Sequence, residues 1–168
     1  NKELFLNTYT DRISTKFDIS KDFAFEILCL SAFLDISFDE AYNSASTLVN
    51  KNGSHDAGFD GIYIDQNEKI VHIFQIKNSP TLKDNELNKF LADYENIFVR
   101  NNPVDIRLNK VLESKIEQYL NLIKSGELFE IQLYFIFNGI KENSTSSQNG
   151  TISQRFESAN NNLKILDS

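Results

Sequence analysis

The 168-residue chain contains one cysteine, Cys29. An intrachain disulfide is therefore excluded and no second thiol can complete a zinc site, so Cys29 reads as a buried thiol in a reducing compartment. Missing too are G-x-G-x-x-G, the phosphate-cradling G-x-x-x-x-G-K-[ST] and G-x-S-x-G, which removes dinucleotide, nucleoside-triphosphate and serine-hydrolase chemistry. No apolar run reaches the length of a membrane span, and no stretch combines the basic start and small-residue cleavage site of a signal peptide. The expectation is a cytoplasmic protein without membrane association. There is no internal repeat. Positive charge is also scarce: 17 Lys and Arg stand against 24 Asp and Glu, a net charge of -7. A protein that neutralises many phosphates unaided carries the opposite balance.

What is present suffices for one core. With 40% hydrophobic and 12% aromatic residues, residues 1–168 are expected to form a single domain. Leu4, Phe5, Tyr9 and Ile13 recur at helical spacing and predict a helix from Asn1 to about Lys16, with Asp18 or Ser20 able to cap the next. That next helix runs from Asp22 to Leu34 and is apolar on most sides. Ser37 with Glu40 three residues later forms a capping box for a helix to about Ser46, and Thr47-Leu48-Val49 reads as a short edge strand.

Later in the chain, Pro80 breaks a strand and Leu87, Phe90, Leu91, Tyr94 and Phe98 predict a helix from about Lys83 to Arg100. Pro103 ends it. Asp105 opens another helix to Ser125, stopped by Gly126, and Leu128 to Asn138 reads as a buried strand parallel to a neighbour. A Ser/Asn/Thr-rich connection, Lys141 to Thr151, precedes a final helix from Ile152 to Leu166. The order predicts an α/β sandwich with a small mixed sheet flanked by helices.

The centre of this pattern is a hairpin. Gly58 to Asp65 and Lys69 to Lys77 are joined by the polar run Asp65-Gln66-Asn67-Glu68, the kind of residues that close a hairpin. Residues two apart on a strand share a face, so Val71, Ile73, Gln75 and Lys77 point one way and His72, Phe74 and Ile76 the other. Asp60 shares a face with Ile62 and Ile64. If both rows face one core, Asp60 comes close to Gln75 and Lys77. A magnesium ion prefers oxygen ligands and is held by one or two carboxylates plus phosphate oxygens. Asp60 would supply the charged ligand, Gln75 an amide oxygen, and Lys77 a cation beside the attacking water or the phosphoryl oxygens.

The stretch His55-Asp56-Ala57-Gly58-Phe59-Asp60-Gly61-Ile62, followed by Phe74-Gln75-Ile76-Lys77, resembles the PD-(D/E)xK nuclease superfamily in its Q-x-K, Mrr-like form. The D-x-G-x-D-x-I-x-x-D pattern from Asp56 to Asp65 is closer still to the abortive-infection phage-resistance (AIPR) proteins. The resemblance spans roughly Phe23 to Lys77. It implies a restriction-endonuclease-like αβα fold and a Mg²⁺- or Mn²⁺-dependent endonuclease in anti-phage defence, acting on nucleic acid with DNA favoured over RNA. It also implies a catalytic core of Asp60, Gln75 and Lys77, with Glu26 as the additional acid and the Ile76 backbone carbonyl as a further metal ligand. Gln75 stands where most members carry Glu, leaving one fewer negative charge at the metal. The resemblance further implies that the chain is the N-terminal part of a longer protein. A C-terminal domain or partner protein would then supply the basic surface, and two copies would pair to cut both strands. Starting at Asn1 without a methionine, the chain also reads as trimmed.

Other residues leave alternatives open. Glu26 either joins the site or lies on the one solvated stripe of its helix. Asp56 either extends the acidic cluster or shapes the Gly53-Ser54-His55 turn. His55 either touches phosphate or metal or, more ordinarily, is an exposed loop residue, and His72, pointing away from Gln75 on a regular strand, serves packing or a backbone hydrogen bond. Besides the nuclease, two further readings stand: a nuclease-like domain that binds nucleic acid without cutting it, and a protein-interaction module using the acidic surface.

Overall fold

In the computed structural model, which describes residues 2–48, 58–81, 83–100, 108–139 and 164–167, the alternating hairpin becomes part of a sheet with a helical layer on each face. The helices are α1 (Lys2–Phe17), α2 (Lys21–Leu34), α3 (Phe38–Leu48), α4 (Asp84–Tyr94) and α5 (Lys110–Lys124). The strands are β1 (Gly61–Asp65), β2 (Ile70–Lys77), β3 (Glu130–Phe137) and β4 (Lys164–Asp167), in the order β1-β2-β3-β4. β1 and β2 are antiparallel, and β3 and β4 each run parallel to the preceding strand in that order. The sheet is thus mixed, as the sequence predicts, and β2 lies inside it.

Alternation sorts the side chains of each strand between two cores. Ile62, Ile64, Val71, Ile73, Leu133, Phe135 and Phe137 pack with Leu87, Phe90, Leu91 and Tyr94 of α4 and Leu112, Ile116 and Tyr119 of α5. On the opposite face Phe74, Ile76, Tyr134 and Ile136 pack against Ile13 of α1, Phe25, Leu28 and Cys29 of α2 and Ala41 of α3. β2 is buried on both sides, which explains why Ile70 to Ile76 reads as nearly continuous apolar sequence.

Local signals set several boundaries. Ser20 caps α2, its hydroxyl accepting from the Phe23 amide at 3.2 Å, while Asp18 takes the left-handed conformation that ends α1, with φ 52°. The capping box forms in both directions: the Glu40 amide donates to Ser37 Oγ at 3.2 Å, and the Ser37 amide donates to Glu40 Oε2 at 2.9 Å. Asp65 Oδ1 accepts from the amides of Asn67 and Glu68 and closes the hairpin turn.

Four boundaries differ from the sequence reading. Thr47 and Leu48 continue α3 instead of forming an edge strand, because the helix nucleated by the capping box runs through them. The Lys83–Arg100 helix is regular to Tyr94 and then widens into a π-helical turn, Glu95–Val99, which brings Ile97 into the core. α5 starts at Lys110, where Asn109 Oδ1 accepts from the amides of Val111 and Leu112. The expected start at Asp105 lies outside the described residues. Residues 164–167 pair with β3 as a strand, not as the end of a helix. The rest of that expected helix, the Lys141–Thr151 connection, His55, Asp56 and the Pro103 break lie outside the described residues.

The end of β2 is fixed on two sides. The Asn138 amide donates to the Lys77 carbonyl at 3.1 Å, Asn138 Nδ2 donates to Asn78 Oδ1 at 3.2 Å, and Asn78 Nδ2 reaches Asp22 Oδ1 of α2 at 3.1 Å. Beside this relay, Gly139 leaves no room for a side chain: a methyl there would lie 2.2 Å from the Pro80 carbonyl oxygen. The turn after Lys77 therefore packs directly on the end of β3.

Candidate functional site

Asp60 lies one residue before β1, where the antiparallel ladder has just ended at Gly61 and Phe74. Its backbone amide donates to the Phe74 carbonyl at 2.7 Å. Its carboxylate then replaces the missing strand: Oδ2 accepts from Gln75 Nε2 at 2.6 Å and from the Ile76 amide at 2.5 Å. Asp60 is 8% exposed and Gln75 3%, so both are buried polar groups satisfied by each other. The expected meeting of Asp60 and Gln75 is present.

The orientation of Gln75 carries chemical information. A carboxylate only accepts, so the amide turns its NH₂ toward Asp60. Gln75 Oε1 faces the opposite way, toward Gly58, whose φ is +73°. For Asp60 and Gln75 to hold one cation with an oxygen each, the amide must turn over. The Ile76 carbonyl needs no such change. A strand residue directs its N–H and C=O to the same edge, so the Ile76 carbonyl points, like its amide, to the edge that Asp60 occupies.

Lys77 is half-buried on the same face of β2 as Gln75. Among the described residues its ammonium makes neither an ion pair nor a hydrogen bond. It shares a strand face with Gln75 and forms no ion pair with the Asp60 carboxylate. Glu26 approaches from the other helical layer and is half-buried on α2. It takes part in an interaction of its own, and both Glu26 and Asp60 lie near enough to Cys29 to act on its charge. The structure thus joins Asp60 to Gln75 directly, places Lys77 two residues further along β2, and sets Glu26 and Asp60 each near Cys29.

Cys29 reports on that environment. Burial first, then the negative charges of Glu26 and Asp60, push its thiol far above the ordinary range. The folded protein should resist iodoacetamide at pH 8 and react fully once unfolded in denaturant. The linkage follows in sign: below the unfolded-state pKa of about 8.5 both states hold the proton. Above it only the unfolded state releases the proton, so stability falls as pH rises. Urea melts from pH 7 to pH 10 check this against Cys29→Ala, whose melts should lose that contribution.

As a metal-holding set, the residues match a hard cation in kind. Among the described residues no three His, Cys, Asp or Glu side chains converge on one point. Magnesium does not need three, since one or two carboxylates with water and substrate oxygens suffice. Asp60, the Ile76 carbonyl, Gln75 after rotation of its amide, and Glu26 are the oxygen donors at hand.

No protein-family model, curated protein or solved structure matches the chain. The case for the site therefore rests on geometry and on the motif residues themselves. Among the described residues no helix is long and apolar enough to cross a membrane.

The structure adds two residues that the sequence reading passed over. Lys89 and Asp93 of α4 form an ion pair at 2.7 Å. A methyl built on Gly58 would lie 3.1 Å from Gln75 Oε1, 3.4 Å from Lys89 Nζ and 3.6 Å from Asp93 Oδ2. The pair thus stands against the far side of the Gln75 amide. Its only sequence signal is a charged i, i+4 couple flanking the apolar stripe of α4, a spacing common on solvated helix faces. His72 behaves as expected, facing away from Gln75, with Nδ1 2.9 Å from the Tyr134 hydroxyl.

Proposed function

We propose that the chain is a metal-dependent nuclease domain that hydrolyses phosphodiester bonds, with DNA favoured over RNA, and that its fold is of the restriction-endonuclease type. The observation that carries this reading is the buried Asp60 carboxylate bonded to the Gln75 side chain and the Ile76 amide, with Lys77, whose ammonium has no partner among the described residues, two residues beyond Gln75 on the strand. A divalent cation bound there would polarise the phosphoryl group and lower the pKa of the attacking water. Asp60 supplies negative charge to hold it, and Glu26 adds to that charge from α2. Lys77 stabilises the negative charge that builds on the phosphoryl oxygens or orients the water. The Asn138–Asn78–Asp22 relay holds the end of β2 against the helix that carries Glu26. The scarcity of positive charge fits a domain that works beside a basic C-terminal part or partner, and defence against phage is the role the motif resemblance suggests.

A second reading has its own support. Gln75 already satisfies Asp60 as a hydrogen-bond donor, so the pair also serves as a purely structural clasp. A domain of that kind would bind nucleic acid without cutting it.

The deciding test is cleavage of plasmid DNA, single-stranded DNA and RNA with Mg²⁺ or Mn²⁺, with and without EDTA. Cutting by the wild-type chain should disappear with EDTA and fall at least about 100-fold in Lys77→Ala, the size of effect expected from removing one transition-state contact. Equal cutting by wild type and Lys77→Ala would rule out the proposed site. Nucleic-acid binding without cleavage by any sample would support the second reading.

A further inference from the structure

Among the described residues, a group with unused chemistry stands beside the Asp60–Gln75 centre, the Lys89–Asp93 pair. Its two members are unequally placed. The Lys89 side chain is 62% exposed, while that of Asp93 is only 15% exposed. Asp93 is therefore fixed against the protein, and the flexible lysine is the partner that can leave. When it does, its ammonium starts from a position beside Gly58 and Gln75 Oε1, at the edge of the proposed reaction centre. Gly58 matters for this. Lacking a side chain, it keeps open the space in which Gln75 Oε1, Lys89 Nζ and Asp93 Oδ2 meet, and its φ of +73° disfavours any other residue.

Electrostatics gives this arrangement a use. A polyanion approaching Asp60 and Glu26 meets acidic side chains in a chain of net charge -7, and needs cations at the point of contact. Lys77 provides one from β2. We infer that Lys89 is a second phosphate-contacting residue of this site, parked on Asp93 in the free protein and transferred to a backbone phosphate of the nucleic acid when it binds. The inference rests on the nuclease reading and extends it from the strands to α4. It makes Asp93 a competitor of the substrate: the carboxylate lowers affinity by occupying the ammonium, while keeping Lys89 oriented toward Gln75.

That competition predicts effects of opposite sign. Binding of a fluorescein-labelled duplex to the full 168-residue chain would be followed by anisotropy in EDTA over a salt series, so that metal and cleavage play no part. Lys89→Ala should weaken binding about three- to tenfold at low salt and lower the slope of log K against log[salt] by about 0.9, the loss of one phosphate contact. Lys89→Arg should keep the slope. Asp93→Asn should tighten binding about two- to fivefold, because the ammonium no longer has to leave a charged partner. Thermal melts followed by circular dichroism would verify that each variant is folded.

If the wild-type chain binds and Lys89→Ala binds equally well, or if Lys89→Ala and Asp93→Asn shift affinity in the same direction, the pair is a surface ion pair only and the inference falls. The nuclease reading would survive either result. Failure of the wild-type chain to bind the duplex would overturn the inference alone, because the nuclease reading lets a basic C-terminal part or partner supply binding and is decided by the cleavage assay.

Discussion

Asp60→Asn and Asp60→Ala should both abolish cleavage but differ in stability. In the folded chain one carboxylate oxygen accepts from Gln75 Nε2 and from the Ile76 amide. An asparagine side chain retains a carbonyl oxygen that can take both bonds, so Asp60→Asn should melt within about 3 °C of wild type. Alanine removes the acceptor and leaves two buried donors unsatisfied, at about 1–3 kcal/mol each. The expected loss is about 2–6 kcal/mol, or roughly 4–24 °C in Tm for a chain of this length. Cleavage should fall by about 1,000-fold or more in both, because neither supplies the negative charge that holds a cation and sets its water. Melting curves and cleavage rates on the same preparations separate the two roles. Wild-type cleavage by Asp60→Asn would remove Asp60 from the chemistry, and wild-type stability of Asp60→Ala would show that its hydrogen bonds contribute nothing.

The hairpin and the Asp60–Gln75 meeting were legible because they depend on local rules. Strand alternation fixes which residues share a face, and a short polar turn brings position 60 opposite position 75 with little freedom left. The capping box at Ser37 and Glu40 was legible for the same reason, since both partners lie within one helical turn. Where several residues offer equal signals, sequence could not choose: Asp105 and Asn109 are both good N-cap residues, and Asn109 caps α5. The expected helix to Leu166 follows from the helical spacing of Leu163 and Leu166, whereas residues 164–167 form β4 through pairing with β3, a partner distant in sequence. The widening after Tyr94 and the placement of Lys89 and Asp93 beside Gly58 were equally hidden. Each depends on how α4 packs on the sheet, which no local pattern encodes. Among the charged residues, Asp60, Lys77 and Glu26 were thus named by a motif readable in sequence, and Lys89 and Asp93 by a helix face readable only in the fold.

Phe90→Ala should be among the most damaging substitutions outside the site itself. Phe90 is fully buried, with its ring 5.7 Å from Phe59 and 6.0 Å from Phe135, both in edge-to-face contact. Removing such a ring costs about 3–5 kcal/mol in lost burial and cavity formation. For a chain of this length Tm should fall by about 10–15 °C. The position of Phe90 gives the loss a second consequence. Phe59 immediately precedes Asp60 and Phe90 immediately follows Lys89, so this ring contact joins the turn carrying Asp60 to the helix carrying Lys89. Phe59→Ala and Phe90→Ala together should therefore cost less than the sum of the two alone, with a coupling of about 0.5–1.5 kcal/mol for the lost aromatic pair. Cleavage well below the melting temperature should also fall in Phe90→Ala, since the emptied space lets Phe59 and its neighbour Asp60 shift. A Phe90→Ala variant that loses stability but cleaves at the wild-type rate would show that the Asp60 turn is held by its own hydrogen bonds to β2, without help from α4.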